Sequence, residues 1–154
     1  MRAVVMRVKS ASVEIDGAIH GAIENGFLVL LGVHKDDTMA QAEKIADKIC
    51  GLRIFEDENG KMNVNPRDAG ADLLIISQFT LFADTRRGNR PSFVGAARPE
   101  VAIPLYEGFC ELAERDVRHV GRGVFGAEMQ VTLTNDGPIT IVIDTDELRR
   151  PKRS

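Results

Sequence analysis

The 154-residue sequence contains little that would mark a membrane-bound, secreted or disulfide-stabilised protein. Its longest apolar run, residues 27–31, is much shorter than the ~20 residues that a membrane-spanning helix needs. Strand-like alternation begins directly after Met1-Arg2, so we expect no secretory signal and a cytoplasmic location. Only two cysteines occur, Cys50 and Cys110, and both fall in helical patterns. We expect two buried free thiols in a reducing compartment rather than a disulfide.

Sequence signatures of bound metals and cofactors are also missing. The three histidines, His20, His34 and His119, are scattered singly, and no cysteine pair stands at zinc-ligand spacing. No Gly-x-Gly-x-x-Gly segment or P-loop is present, so nucleotide cofactors have no local support. The order of residues does not exclude a Ser-His-Asp triad, but Ser77 lacks the Gly-x-Ser-x-Gly elbow. We therefore expect no metal and no cofactor, and a hydrolytic reaction would need something other than a side-chain triad.

The net charge of −3 argues against a protein that coats nucleic acid through its bulk charge. Two local basic segments remain as candidates for nucleic-acid contact. The first is a loop that carries Arg86, Arg87 and Arg90 directly after a polar strand end. The second is the C-terminal tail, residues 146–154, which we expect to be a solvated terminus.

Hydrophobic periodicity predicts a single α+β domain over residues 1–145, with mostly antiparallel strands forming a barrel-like sheet core and two main helices. The first helix should begin at Thr38, form a capping box with Gln41 and end near residue 52. The second should begin near Pro99, and Pro104 either bends it or marks its true start. The predicted inward faces consist of Met39, Ala42, Ala46, Ile49 and Cys50 in the first helix and Val101, Leu105, Phe109 and Leu112 in the second.

Several hairpins are predicted from alternation and turn residues. Residues 3–23 should form two strands that turn at Asp16-Gly17, and Asn59-Gly60 predicts a type I′ turn between two short strands. Near the C-terminus, two alternating runs flank the connection 135–138, and we expect a hairpin with Gly137-Pro138 in its turn. The apolar members of these runs are Met129, Val131 and Leu133, then Ile139, Ile141 and Ile143.

The segment 73–81 combines a buried strand with an abruptly polar end. Residues 73–76 are all apolar, whereas Ser77, Gln78 and Thr80 follow with Phe79 between them. Polar groups at the end of a buried strand often mark a site, but the strand can equally be emerging into water. If Thr80 were a nucleophile it would need a base, and the sequence offers none nearby.

Two motifs in this sequence resemble the signature motifs of the D-aminoacyl-tRNA deacylases. They are Ser77-Gln78-Phe79-Thr80-Leu81 and Asn135-Asp136-Gly137-Pro138-Ile139-Thr140. Ile139 stands where the family more often has valine, and Phe82 where it often has tyrosine, but both keep the apolar character. The likeness extends to residues 1–4, 52–57, 83–86, 90–93 and 125–127.

The resemblance implies an editing hydrolase that cleaves the ester between a D-amino acid and the 3′-terminal adenosine of tRNA, and that of glycyl-tRNA in the same way, without a cofactor. It implies a homodimer in which Gly137-Pro138, with a cis bond, reaches into the partner's active site and excludes L-amino acids. The alternative that remains open is a non-catalytic dimeric module that binds nucleic acid or a small ligand.

Residue roles also follow from the resemblance. The backbone N–H groups of Phe79 and Thr80 would face the ester carbonyl, while Gln78 would position the substrate and Ser77 would have a structural role. The pocket for the terminal adenosine would be lined by Met129 and Phe125. Contacts to the rest of the tRNA are expected from Arg86, Arg87 and Arg90.

Overall fold

The computed structural model describes residues 1–150 and confirms an α+β fold built mainly of strands in a nearly closed, barrel-like sheet. Residues 151–154 of the basic tail, which was predicted to be a solvated terminus, lie outside the described residues. The strands are β1 (Arg2–Ile15), β2 (Ala18–Ile23), β3 (Gly26–Gly32), β4 (Phe55–Glu56), β5 (Met62–Val64), β6 (Asp72–Ser77), β7 (Val120–Arg122) and β8 (Gln130–Asp144). The helices are α1 (Met39–Cys50), α2 (Pro99–Asp116) and α3 (Thr145–Leu148), and Phe79–Phe82 forms a short 3-10 turn, here called the helical turn.

The long strand β1 organises the main sheet. It pairs antiparallel with β2, β3 and β8, and β3, β6 and β7 continue the sheet through two parallel pairings. Contacts between β2 and β7 bring the two ends of the strand order close together. Strands β4 and β5 form a separate small hairpin. The sheet is therefore mostly antiparallel, with β6 held in its parallel part between β3 and β7.

The prediction of a C-terminal hairpin is wrong, because residues 130–144 form one continuous strand, β8. Both halves of β8 pair with β1, which is 14 residues long and can therefore cover them end to end. The register passes from Met6 opposite Thr140 to Val8 opposite Asn135, so residues 136–139 bulge out of the ladder opposite Arg7. We call residues 136–139 the β8 bulge.

The two other predicted turns, at Asp16-Gly17 and Asn59-Gly60, differ in their backbone conformation. Asp16 and Gly17 both have positive φ, 49° and 80°, as a type I′ turn requires, so the first hairpin is confirmed. The β4–β5 hairpin is also present, but the predicted type I′ turn is wrong because only Gly60 has a positive φ there. The Asp57 carboxylate instead accepts the N–H groups of Asn59 and Lys61 and organises the turn.

The two main helices begin where the sequence predicts. Thr38 and Gln41 form the capping box of α1, and Pro99 is the first residue of α2, so Pro104 lies inside the helix. Val101 is 38% exposed, so its predicted inward position is wrong. Met39 is 41% exposed, but its thioether packs on buried Gly108 of α2, where an added Cβ would lie 3.0 Å from the methionine Sδ. Both residues lie in the first turn of their helix, before the helix is fully covered. The other predicted inward residues are buried or partly buried.

The core has one cluster on each face of the sheet. The larger cluster joins β1, β3 and β6 to α1 and α2, and the smaller one lies on the opposite face. Cys50 and Cys110 are both buried and free, which confirms the expectation of two free thiols. Burial raises the pKa of Cys50 to about 12 and that of Cys110 to about 11. No helix within residues 1–150 has the length and apolar character needed to span a membrane.

Candidate active site

The site begins at the carboxyl end of β6. Residues 73–76 are at most 2% exposed because β6 lies between two strands and under both core clusters. Ser77 is the last residue of the strand and is opposite Leu31 of β3. The N–H of Gln78 still donates to the Leu31 carbonyl at 2.8 Å, and the chain then curls into the helical turn. The buried strand therefore fixes the start of an exposed turn.

The helical turn presents two backbone donors. Its own hydrogen bonds run from Leu81 N–H to the Gln78 carbonyl at 3.2 Å and from Ala83 N–H to the Thr80 carbonyl at 3.1 Å. In the part of the chain that the structure describes, the N–H groups of Phe79 and Thr80 donate to no protein acceptor. The first N–H groups of any helical turn lack a partner within the turn. Both residues are exposed, so their donors are available to a ligand.

The side chains of the turn do not form a nucleophile–base pair. The Gln78 Nε2 amide donates to the Thr80 hydroxyl oxygen at 2.6 Å. Over residues 1–150, no carboxylate, imidazole or amine hydrogen-bonds to this hydroxyl. Phe79 is 54% exposed and packs edge-on against Phe93, with 5.2 Å between the ring centroids. The chemistry that this turn supports is therefore hydrogen-bond donation from the backbone.

Met129 and Phe125 flank the same end of β6. After β7, the Gly123 N–H donates to the Ile75 carbonyl at 3.3 Å, which leads the following residues past the strand end. Met129 is partly buried against Gly123, where an added Cβ would lie 2.7 Å from the methionine Sδ. Phe125 is partly buried, 6.4 Å from the Tyr106 ring. Both predicted pocket residues therefore lie near the end of β6, Phe125 against the larger core cluster and Met129 against the smaller one.

The β8 bulge carries the second motif. The Gly137-Pro138 bond is cis, Gly137 has a φ of 131°, and both residues are exposed. The bulge is closed by Asn135, whose Oδ1 accepts the Ile139 N–H at 2.9 Å and whose Nδ2 donates to the Thr140 hydroxyl at 3.0 Å. The motif is therefore a hydrogen-bonded projection from a strand.

Arg7 of β1 hydrogen-bonds to the backbone of this bulge, a role that was not predicted from the sequence. Its Nε donates to the Asp136 carbonyl at 3.2 Å, and its Nη1 donates to the Ile54 carbonyl at 2.6 Å. Arg7 is only 7% exposed and occupies a strand position whose neighbours Ala3 and Val5 face the core. The sequence signal for this role is an arginine at a strand position where the alternation would place an apolar, inward-facing residue.

The structure does not bring the two motifs together within one chain. Arg7, opposite the bulge, is in register with Phe27 and Leu73, so Ser77 lies four residues farther along β6. At ~3.3 Å per residue, and with three strand spacings of ~4.8 Å between β8 and β6, the separation along the sheet is about 20 Å. Ser77, Gln78, Phe79 and Thr80 therefore lie far from Gly137 and Pro138 of the same chain.

The basic loop is closed at its base by an antiparallel bridge between Asp84 and Ser92. Arg86 donates from Nε and Nη2 to the Asp84 carboxylate at 2.9 and 2.7 Å, and these hydrogen bonds lower the pKa of Asp84 to about 2. The charge of Arg86 is therefore already partnered. Arg87 and Arg90 are exposed.

A cleft of about 660 Å³ lies beside the β8 bulge, away from the helical turn. Its walls include five carboxylates, those of Glu56, Asp57, Glu58, Asp68 and Asp136. Their negative charge does not suit a polyanion, so this cleft is not the candidate site. Within residues 1–150, no three His, Cys, Asp or Glu side chains are grouped in a way that could hold a metal ion.

Solved structures with the same fold include two that differ in sequence similarity. One, titled "c-Myc DNA Unwinding Element Binding Protein", has a TM-score of 0.89 and 41% identity and covers 94% of this chain and 98% of that chain. Another, titled "Structural Analysis of a probable eukaryotic D-amino acid tRNA deacylase", has a TM-score of 0.79 and 16% identity. It covers 92% of this chain and 97% of that chain, and at this identity it supports the fold alone.

Sequence comparison gives the family. Curated proteins named D-aminoacyl-tRNA deacylase include one from Chloroflexus aurantiacus that is 54% identical over 154 residues, 100% of this chain and 96% of that protein. Another, from Opitutus terrae, is 57% identical over 146 residues, 94% of this chain and 97% of that protein. The sequence model of the family described as D-Tyr-tRNA(Tyr) deacylase matches residues 4–144. The chain therefore belongs to the D-Tyr-tRNA(Tyr) deacylase family.

Proposed function

We propose that this protein is a D-aminoacyl-tRNA deacylase, an editing hydrolase that releases the D-amino acid and free tRNA. The observation that carries the proposal is that, within residues 1–150, the N–H groups of Phe79 and Thr80 at the end of β6 have no protein acceptor, in a chain of this family. The relatives at 54% and 57% identity bear the name of this activity.

Ester hydrolysis passes through a tetrahedral intermediate whose oxygen carries a negative charge. Two N–H groups fixed by a buried strand can accept that oxyanion without having to reorganise during the reaction. In this mechanism Phe79 and Thr80 bind the oxyanion, and Gln78, beside them, positions the aminoacyl end. The terminal adenosine lies toward Met129 and Phe125, which are partly buried at the same end of β6.

The attacking water needs a base, and the helical turn supplies none. The hydroxyl of Thr80 receives a hydrogen bond from Gln78 and is therefore not activated as a nucleophile. The 2′-hydroxyl of the terminal ribose lies next to the ester in the substrate itself and would help to activate the water. We assign Thr80 a backbone-donor role and Ser77 a structural role at the strand end.

Selection against L-amino acids is assigned to the β8 bulge of a second subunit. A bulge about 20 Å from its own helical turn cannot reach that site, but in a two-fold dimer it can reach the partner's. Backbone carbonyls of Gly137 and Pro138 would hold the substrate's amino group, so that one direction at the α-carbon is open and the other is blocked. D-amino acids fit, L-amino acids clash, and glycine, which has no side chain, should also be accepted.

The direct test is the release of free amino acid from D-tyrosyl-tRNA by the purified protein. We expect multiple turnovers with D-tyrosyl-tRNA, comparable rates with D-aminoacyl-tRNAs of other side chains and with glycyl-tRNA, and little reaction with L-tyrosyl-tRNA. Saturable binding of D-tyrosyl-tRNA without release would contradict the proposal.

If each subunit places its β8 bulge in the site of the other, the protein must be a homodimer. Size-exclusion chromatography with light scattering should give about twice the 16.9 kDa mass of the chain. The mass should not change over the concentrations used in the assay. A monomer with full activity and full D/L selectivity would rule out a site shared between subunits.

The basic loop is proposed to contact tRNA phosphates mainly through Arg87 and Arg90, because Arg86 is already paired with Asp84. Replacing both Arg87 and Arg90 by Gln should weaken tRNA binding. The slope of log binding constant against log salt concentration should become less negative by about 1.4–1.8, because each lost phosphate contact accounts for ~0.7–0.9. Arg86→Gln, the matched single variant, should change the salt slope less. Equal slopes for wild type and the double variant would remove the loop from the interface.

Non-catalytic nucleic-acid binding remains the second candidate, since the 41% identical structure is titled a DNA-unwinding-element binding protein. The net charge of −3 does not favour a duplex-coating role. A competition assay separates the candidates: a deacylase is inhibited by uncharged tRNA more strongly than by duplex DNA of equal length. The reverse order without turnover would favour the binding module.

A further inference from the structure

The helical turn that carries the two donors is anchored to the sheet at its start and is exposed beyond it. None of its four residues is buried, and no side chain caps its N-terminus. Its start is fixed by the hydrogen bond from Gln78 N–H to the Leu31 carbonyl, and its far end, Leu81 and Phe82, lies against Gly32 of β3. The direction of the Phe79 and Thr80 N–H groups therefore depends on contacts made at Leu81 and Phe82.

Those contacts come from Arg2 at the start of β1. Its Nη1 donates to the Leu81 carbonyl at 3.0 Å, and its guanidinium carbon lies 4.6 Å from the centroid of the Phe82 ring. A guanidinium at this position satisfies a carbonyl that the turn leaves free and complements the negative end of its peptide dipoles. His34 contacts the same Phe82 ring, with 5.2 Å between the centroids.

Arg2 is itself held by an acceptor. Its Nε donates to Oδ2 of Asp144 at 2.8 Å, while Oδ1 of Asp144 accepts the Asp146 N–H at 2.9 Å. Both carboxylate oxygens of Asp144 therefore have a donor. Arg2 and Asp144 also pair in register across β1 and β8, so the backbone of both residues is fixed.

Gly32 restricts the turn from the side of the sheet. A Cβ at this position would lie 3.0 Å from Leu81 Cβ and 3.1 Å from the Gln78 carbonyl oxygen. The turn therefore rests directly on the backbone of β3, and Arg2 closes the far end. Gly32 and Arg2 therefore contact the far end of the turn from two sides.

We propose that Arg2 is a positioning residue for the deacylation reaction, which holds the Phe79 and Thr80 N–H groups in line with the ester carbonyl through the Leu81 carbonyl and the Phe82 ring. The inference rests on the proposed function for its chemistry. The anchoring of the helical turn by Arg2 does not depend on the proposed function, because the contacts of Arg2 are present without substrate.

The test compares Arg2→Met and Arg2→Lys with Arg118→Met. Arg118 is a matched control because it also forms an ion pair with an aspartate of the sheet, Asp72, at 3.1 Å, but at the opposite end of β6. Arg2→Met keeps the side-chain length and loses all donors, so kcat for D-tyrosyl-tRNA should fall about 10- to 100-fold. KM should stay within about twofold, because a misaligned oxyanion donor affects the transition state more than substrate binding.

Two further readouts separate positioning from a general loss of stability. Arg2→Lys retains a cation near Leu81 and should recover part of kcat, and Arg118→Met should change kcat by less than about twofold. Hydrogen exchange of residues 77–83 should be faster in Arg2→Met and unchanged in Arg118→Met. If kcat falls equally in Arg2→Met and Arg118→Met, or if exchange at 77–83 does not change, the positioning role is wrong.

The failure of this inference differs from that of the proposed function. A wild-type protein that does not cleave D-tyrosyl-tRNA would contradict the proposed function, and the anchoring by Arg2 would then be decided by hydrogen exchange alone. An active wild type with an equally active Arg2→Met variant would retain the function and remove Arg2 from it.

Discussion

Replacing Phe79 by proline is expected to lower kcat for D-tyrosyl-tRNA about 10²- to 10³-fold relative to Phe79→Ala. Both variants remove the ring, but only proline removes the backbone N–H, so the ratio between them isolates one oxyanion donor. Proline should be tolerated because Phe79 is the first residue of the turn and its N–H has no protein acceptor within residues 1–150. Gln78 before it is non-helical, with φ −141° and ψ 84°.

Thr80→Ala is the companion variant for this measurement. It removes the hydroxyl and leaves the N–H, so we expect it to keep substantial activity, with kcat within about tenfold of wild type. Circular dichroism and thermal unfolding would establish that all three variants are folded. An inactive, folded Thr80→Ala beside an active Phe79→Pro would contradict the backbone mechanism and support a threonine nucleophile.

Gly137→Ala is expected to reduce the ratio of D- to L-tyrosyl-tRNA cleavage about 100-fold, which corresponds to ~2.7 kcal/mol of selectivity. Gly137 has a φ of 131°, and an added Cβ would lie 2.8 Å from Cγ1 and 3.0 Å from the N of Ile139. The bulge must therefore change shape, and a barrier that acts by excluding one side-chain direction is sensitive to its shape. Glycyl-tRNA, which has no side chain to exclude, should show the smaller change.

The matched control for this change is Gly17→Ala in the β1–β2 turn. Gly17 also has a positive φ, 80°, but a Cβ there would meet nothing within 4 Å. It tests the effect of placing alanine in a left-handed conformation without altering the β8 bulge. If Gly137→Ala and Gly17→Ala give the same D/L ratio, the bulge does not select the amino acid's chirality.

The end of β6 could be predicted because its signals are local. Four apolar residues followed by Ser77 and Gln78 indicate where a buried strand leaves the core, and the capping box of α1 likewise lies within four residues of sequence. Such patterns depend only on neighbouring side chains. The same holds for the turn at Asp16-Gly17.

The C-terminal strand could not be predicted, because its signal is ambiguous at short range. Two alternating runs separated by residues 135–138 fit a hairpin and a bulged strand equally well. The two runs form one bulged strand because β1 is long enough to pair with both of them. A local pattern cannot report the length of a strand more than a hundred residues away.

The roles of Arg2 and Arg7 could not be predicted either, because their contacts are also distant in sequence. Arg2 and Arg7 each contact a carbonyl that is distant in sequence, 79 residues away at Leu81 and 129 residues away at Asp136. A backbone carbonyl carries no residue-specific signal, so nothing in the sequence identifies it as the acceptor. The partnered state of Arg86 with Asp84 was similarly invisible, although the two residues are close in sequence.

The burial of both native thiols makes the protein convenient for site-specific labelling. Burial raises the pKa of Cys110 to about 11 and that of Cys50 to about 12, so both thiols are mainly protonated at pH 7. Maleimide reagents react with accessible thiolates, so neither cysteine has to be replaced first. A single cysteine introduced on the exposed surface would then carry a fluorophore or spin label, and a distance between two such labels would test the proposed dimer.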